Sequence, residues 1–337
     1  MKKILSAAKT LGSMVSHLQQ IEVGNGDIAS VIIDFSPIYK KIKLSSLSLL
    51  SVIAAKFTTR DYYTTGGNYQ MKNSLKCLNA NTLRLLACAL MLCDHMWATV
   101  IPGNVWMTWL GRLAFPIFAF QIAEGLFHTS NFKKYAIRLL IFGIVSEIPF
   151  DLVYGSTILY PFHQNVMFTL LLGLLAIKAL DNAKSKFRAG TTFGASSTPS
   201  AVATPTTARR IASLALGILI AALCTLAAAI TFTDYSAMGV LTVIAFYVFR
   251  DFKFAWLGQL VFMICANMIF FQGEYLPLTI AGHYFEFQTQ GFAVFALIPI
   301  WLYNGKKGIT SKALQYGFYA FYPVHLLVLY LIFHYAM

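Results

Sequence analysis

The stretch TLRLLACALMLCDHMWATVIP, residues 82–102, decides what kind of protein this is. An α-helix rising 1.5 Å per residue needs about 20 mostly apolar residues to cross a hydrocarbon core of about 30 Å. This stretch supplies them, yet Arg84, Asp94 and His95 lie within it. An ionisable group near the bilayer centre costs roughly 2.5–3.5 kcal/mol on insertion scales, so each one needs a partner, a wet cavity or a chemical task. The stretch therefore predicts a membrane helix that faces a polar interior.

The whole chain agrees. Of its 337 residues 58% are hydrophobic and 12% charged, about half the charged share of a soluble domain, and the mean hydropathy is +0.65. The formal charge is +13, from 26 Lys and Arg against 13 Asp and Glu. In a soluble protein such an excess would suggest nucleic acid. In a membrane protein it reflects basic residues gathered on the cytoplasmic side, so lipid and not nucleic acid is the expected partner. The five cysteines (Cys77, Cys88, Cys93, Cys224 and Cys265) form no C-x-x-C pair. Neither a disulfide framework nor a metal site is expected. The opening MKKILSAAKTLGSMV lacks the sustained apolar run of a cleaved signal peptide.

Nine apolar segments are candidate spans: 82–101, 105–127, 134–154, 165–181, 210–231, 237–250, 254–273, 290–303 and 315–336. Two are short, so eight to ten helices fit the pattern. With the N-terminus in the cytoplasm, one set of loops holds Lys133, Lys134, Arg138, Lys184, Lys186, Arg188, Arg209, Arg210, Arg250, Lys253, Lys306, Lys307 and Lys312. The opposite loops, PGN, GSTILYPFHQ, TFTDYS and QGEYLPLTIAGHYFEFQT, contain no Lys or Arg. That asymmetry predicts an all-α polytopic bundle of about nine transmembrane helices, N-terminus inside and C-terminus outside. Residues 1–78 read as a cytoplasmic or interfacial extension and 79–337 as the membrane domain. Within the latter, 183–208 is Ser/Thr/Ala/Pro-rich and reads as a disordered cytoplasmic linker. No internal repeat of the kind used by many transporters is evident.

Polar groups from several predicted helices converge at one outer depth. His95 lies about 9 Å, Arg112 about 12 Å and Glu147 about 10 Å from the outer ends of their helices at 1.5 Å per residue. Asp151 follows Glu147 on the same face, and His163, Asn165 and Asp234 sit at that level. A second layer, Arg84, Glu124 and Arg138, lies towards the cytoplasm, and His325 falls between the two. Each group also has a plain structural reading: Asp94 can accept from a neighbouring helix, Glu147 can neutralise Arg112, and a membrane histidine can be a satisfied interhelical donor. His128, His283 and His334 read as surface residues. His95 is singled out because imidazole, with a pKa of about 6.5, takes a proton near neutrality when another group fixes its tautomer. Sequential neighbours on a helix point about 100° apart, so an acid other than Asp94, such as Glu147, is the candidate to orient it.

The segments LRLLACALMLCDHMWATV (83–100), WLGRLAFPIFAFQIAEGLFHTSNFKKYAIRLLIFGIVSEIPFDL (109–152) and HQNVMFTLLLGLLAIKALD (163–181) carry a resemblance to a known family. So do DYSAMGVLTVIAFYVF (234–249) and FYAFYPVHLLVLYLI (318–332). Together they resemble the TraX family of membrane proteins, named for the conjugation protein that acetylates the N-terminus of F pilin. The block GR-x-AFP-x-FAF-x-x-x-EG is its most specific part. The family is distantly similar to acyltransferase-3 type membrane enzymes, which carry an Arg, ten residues and a His on an early helix. Arg84 and His95 show that spacing, roughly 16 Å along a helix.

The resemblance implies an acyl-CoA-dependent N-acetyltransferase, with acetyl-CoA as co-substrate and a pilin-like protein amine as acceptor. It implies catalytic roles for His95, Asp94, Arg112 and Glu147, with Arg112 or Asn165 holding the oxyanion. It implies a cofactor-binding group of Arg84, Arg138 and Glu124. Substrate contacts would come from Asp151, His163, Asn165, Asp234 and His325. A surface-glycan acceptor is an alternative, and a proton-coupled transporter is a second.

Overall fold

The structure, a computed structural model, describes residues 76–189, 207–271, 274–280 and 283–335. The extension read over 1–78 thus lies outside the described residues except for its last three. The chain divides into two units, and one of them, residues 60–277 and 286–337, carries all the helices named below. The strands β1 (Tyr275–Ile280) and β2 (His283–Gln288) pair with each other as a hairpin.

The first apolar segment forms α1, Ala80–Thr99, capped by Asn79, whose Oδ1 accepts from the Thr82 backbone N–H at 3.0 Å. The second segment divides into α2 (Trp106–Gly111) and α3 (Ala114–His128), with a turn at Arg112 and Leu113. Gly111 permits this: a Cβ there would lie 2.6 Å from Asp94 Oδ1, so only glycine lets α2 lie against α1. Then follow α4 (Phe132–Tyr154), α5 (Val166–Ala189), α6 (Thr207–Ile230) and α7 (Ser236–Phe249). The next helix, α8 (Ala255–Cys265), runs on as a π-helical turn, Ala266–Phe270. A 3₁₀ stretch, Thr289–Ala296, leads into α9 (Leu297–Trp301), and α10 (Lys312–Tyr335) ends the described chain.

Each of the nine predicted segments is therefore helical. Four helical stretches are long and apolar enough to cross a membrane: Trp106–His128, Val166–Phe187, Thr207–Ile230 and Lys312–Tyr335. The chain is an all-α membrane protein among its described residues, with one hairpin. The ends of the stretch read as a linker are ordered helix, since α5 continues to Ala189 and α6 begins at Thr207; residues 190–206 lie outside the described part.

The surface confirms the solvent. Ile137, Ile141, Ile144, Val145 and Ile148 of α4 are each more than half exposed, as are Leu216, Ile218, Leu219, Leu223 and Leu226 of α6. Apolar stripes of this extent belong in lipid. Without a hydrophobic driving force between helices, close packing of small residues holds them together. Gly217, Ala221 and Ala228 of α6 are buried, with Ala176 and Ala183 buried on α5. The bundle is also tied at both ends. Near the start of α1, Leu78 N donates to Leu302 O and Asn304 N to Leu78 O. At the opposite end of the bundle Gln164 N donates to Phe232 O and Asp234 N to Gln164 O.

A Cβ on Gly217 would lie 2.6 Å from Ala183 Cβ and 3.1 Å from Ala179 O. Gly217→Leu should therefore destabilise the detergent-solubilised protein by about 1–3 kcal/mol through overpacking. Thermal unfolding followed by circular dichroism checks this; an unchanged midpoint would show that α5 and α6 are not packed this closely.

Candidate functional site

Towards the C-terminal end of α1 a cavity of about 160 Å³ is lined by Asp94, His95, Arg112, Tyr154, His163, Asp234 and Tyr235, among others. Asp94 finds its partner in the turn between α2 and α3. An Arg112 terminal nitrogen lies 3.1 Å from Asp94 Oδ1 and donates to Thr108 Oγ1 at 2.7 Å, and Thr108 donates to Asp94 Oδ1 at 2.6 Å. A carboxylate and a guanidinium are thus carried into the bundle as one hydrogen-bonded unit. Opposite them, His163 Nε2 lies 3.8 Å from Asp234 Oδ1. The backbone pairing of Gln164 with Phe232 and Asp234 holds these two loops together, and the Thr169 hydroxyl donates to the Asp234 carbonyl.

His95, pointing away from Asp94 on the helix, meets α10. Its Nδ1 lies 2.6 Å from Nε2 of His325, and the two rings are parallel to within 6°. His325 Nδ1 lies 2.7 Å from the Phe321 carbonyl oxygen. A carbonyl can only accept, so His325 carries its proton on Nδ1, and in the neutral ring Nε2 is then an acceptor. His95 must in turn donate from Nδ1. Its Nε2 is left with a free lone pair, as a general base requires. Both imidazoles are buried.

This geometry corrects several sequence expectations. Glu147 neither neutralises Arg112 nor orients His95: it accepts from the Asn165 side-chain amide and backbone N–H, while its Oε1 is buried without a partner among the described residues. Asn165 is committed as well. Its amide donates to Glu147 and to the Gly143 carbonyl, and its Oδ1 accepts from Met167 N at the start of α5. It caps α5, and both hydrogens of its amide are given to partners within the bundle. Asp151 is 1% exposed, and its Oδ2 accepts from the Tyr160 backbone N–H at 2.8 Å, shaping the loop that delivers His163. Glu147, Asp151 and Asn165 all fall outside the residues lining the cavity. His325, expected between the two layers as a substrate contact, is the direct partner of His95.

A second cavity, of about 440 Å³, lies towards the N-terminal end of α1, beside Ala80, Asn81 and Arg84, and is within the size range of cofactor sites. Arg84, Arg138, Lys307 and Lys312 line it, with Glu124, His128, Gln121, Cys88, Tyr135 and Tyr319. Arg84 Nε donates to Gln121 Oε1 at 3.0 Å. Arg138 Nε is buried without a hydrogen-bond partner among the described residues, which suits it to an anionic guest. Glu124 is engaged by Arg250 at 2.6 Å and by His128 at 3.6 Å, so it braces the wall. The sequence did not pick out Tyr154, Tyr235 or Tyr322 as lining residues, because tyrosines in apolar runs read as lipid-facing or core. Lys307 and Lys312 were visible only as loop charge.

Comparison with known proteins adds an independent finding. The family model described as TraX protein matches residues 79–333. The chain is 24% identical over 266 residues to a protein of Dichelobacter nodosus named "Probable fimbrial assembly protein FimC, serogroup H1", covering 74% of this chain and 94% of that one. No solved structure matches the chain.

His163 lies in the loop between α4 and α5. Its pairing with the Asp234 carboxylate raises its pKa above the ordinary imidazole value; burial opposes this, and the charges of Glu147 and Asp151 add to the rise. A group whose folded pKa is raised contributes stability fully present below its unfolded pKa of about 6.5, and lost as pH climbs through the folded value. Asp234→Asn should therefore lower stability at mildly acid pH, by the about 0.2–1 kcal/mol of a part-exposed pair. The difference should fade in alkali. Melting curves of both proteins across pH check it; a deficit that grows with pH would refute the pairing.

Proposed function

The chain belongs to the TraX family, and from that premise we propose that it is a membrane acyltransferase. It takes an acetyl group from acyl-CoA on the cytoplasmic side and delivers it to an acceptor amine, such as the N-terminus of a pilin subunit, on the other side. The Dichelobacter relative, named as a probable fimbrial assembly protein, supports a pilin-type acceptor. The observation that carries the reading is a histidine with a free Nε2 lone pair lining one of two cavities that share four side chains.

In this reading the inner cavity receives CoA. Arg84, Arg138, Lys307 and Lys312 supply the positive charge its phosphates need. The thioester then points along α1 towards His95. An amine enters the outer cavity as the neutral base, attacks the thioester carbonyl, and gives its proton to His95 Nε2. The new N–C bond forms as the C–S bond breaks, and the departing thiolate takes up a proton to leave as CoA. Hydrogen bonding to His325 spreads the charge of the protonated imidazole. Tyr322 lines both cavities, with its ring centre 6.2 Å from that of His95. Its hydroxyl replaces Asn165 as the group suited to donate to the oxyanion. Arg112, fixed by Asp94 and Thr108, lines the same cavity with its charge balanced by Asp94. The placement of the basic loops supports an N-in orientation, and membership of the TraX family supports a bacterial inner membrane as its location.

His95→Ala should lower thiol release from acetyl-CoA by about 10²–10⁴-fold, the usual range for a general base. The assay uses full-length protein in liposomes with a peptide bearing a free N-terminal amine, and the variant must insert normally. His325→Ala should lower kcat with little change in KM. A wild-type rate in His95→Ala rejects the assignment, and solute uptake without thiol release would favour a transporter.

A further inference from the structure

Resting on this acyl-transfer reading, we propose that Met91 and Val166 limit the length of the transferred acyl group, making the protein selective for short donors such as acetyl-CoA. Four side chains line both cavities: Met91 of α1, Phe118 of α3, Val166 of α5 and Tyr322 of α10. They form the partition between donor and acceptor. A carbonyl that sits on CoA at one moment and on the amine at the next must lie at this partition. The hydrocarbon tail beyond that carbonyl has to be housed among the same four side chains.

Little room is left there. Met91, Val166 and Tyr322 are buried, and Phe118 packs against the same core. That core continues into Ile117, Leu170 and Leu326, each at most 4% exposed. A methyl group can be taken in by shifting a side chain. Each further methylene would have to displace packed atoms, which close-packed interiors resist. Met91 is the adjustable element. It stands one helical turn from His95 and three residues from Cys88, on the face of α1 that runs from the inner cavity to the outer. Its unbranched thioether bends and fills gaps without moving a helix. Trimming it enlarges the partition while leaving His95 and His325 in place.

The test compares acetyl-, butyryl- and octanoyl-CoA as donors for full-length protein in liposomes, with a short peptide carrying a free N-terminal alanine as acceptor. Wild type should prefer acetyl-CoA. Met91→Ala should raise the butyryl-to-acetyl ratio of kcat/KM by about tenfold or more, the usual worth of a methylene pocket. Met91→Leu, nearly equal in volume, should leave the ratio unchanged. Val166→Ala enlarges the partition from the facing helix and should move the ratio the same way, so the inference stays testable if Met91→Ala does not fold. An unchanged ratio in the alanine variants, with acetyl transfer intact, overturns the inference alone. So does a wild type that uses octanoyl-CoA as readily as acetyl-CoA. If wild type releases no thiol and CoA does not raise its melting temperature, the acyl-transfer reading fails and the length filter with it.

Discussion

Charge taken out of water has to be met, and in this protein the meeting of Asp94 with Arg112 determines how the remaining polar groups are used. The pair joins α1 to the turn between α2 and α3 across a close approach that only Gly111 allows. With Asp94 engaged on that side, His95 is turned towards α10 and His325. Arg112, already neutralised, does not call on Glu147, and Glu147 is left to bind the first turn of α5 through Asn165. One ion pair thus separates two tasks. Carboxylates serve as structural ties, and the imidazoles keep a proton-accepting atom free.

The histidine pair depends on helix register more than on charge. His325 is fixed by the carbonyl one turn before it, at Phe321, and its own ring then fixes His95. Both steps follow from what each atom can donate or accept. The arrangement needs no buried anion beside the base. A carboxylate in that place would stabilise the cation more strongly but would carry its own desolvation cost into the membrane. A second neutral imidazole orients the first without that cost.

Much of the fold could be read in advance because hydrocarbon imposes one rule on every segment. A spanning helix must satisfy its own backbone, so apolar length translates directly into helices. All nine segments are helical among the described residues, and four helical stretches are long and apolar enough to cross a membrane. Departures came where packing overruled length. The second segment breaks at Arg112 so that its side chain can reach Asp94, the seventh ends in a π-turn, and the eighth begins as a 3₁₀ stretch. Helical order also extends into the Ser/Ala-rich linker region at both ends, where α5 and α6 lie against one another.

The sequence by itself determined which residues are costly to bury, and it placed His95, Arg112, Glu147, Asp151, His163, Asn165 and Asp234 at one level; of these His95, Arg112, His163 and Asp234 line the cavity, joined by Asp94, and the other three do not. Depth along a helix is a linear property, and it survives into the structure. Azimuth is not linear. Whether His95 faces Asp94, Glu147 or His325 depends on how each helix is rotated and where α2 turns, and those angles are settled by contacts among residues far apart in the chain. For the same reason the partition of Met91, Phe118, Val166 and Tyr322 was invisible beforehand. Four ordinary side chains on four helices acquire a role only when packing sets them around one gap.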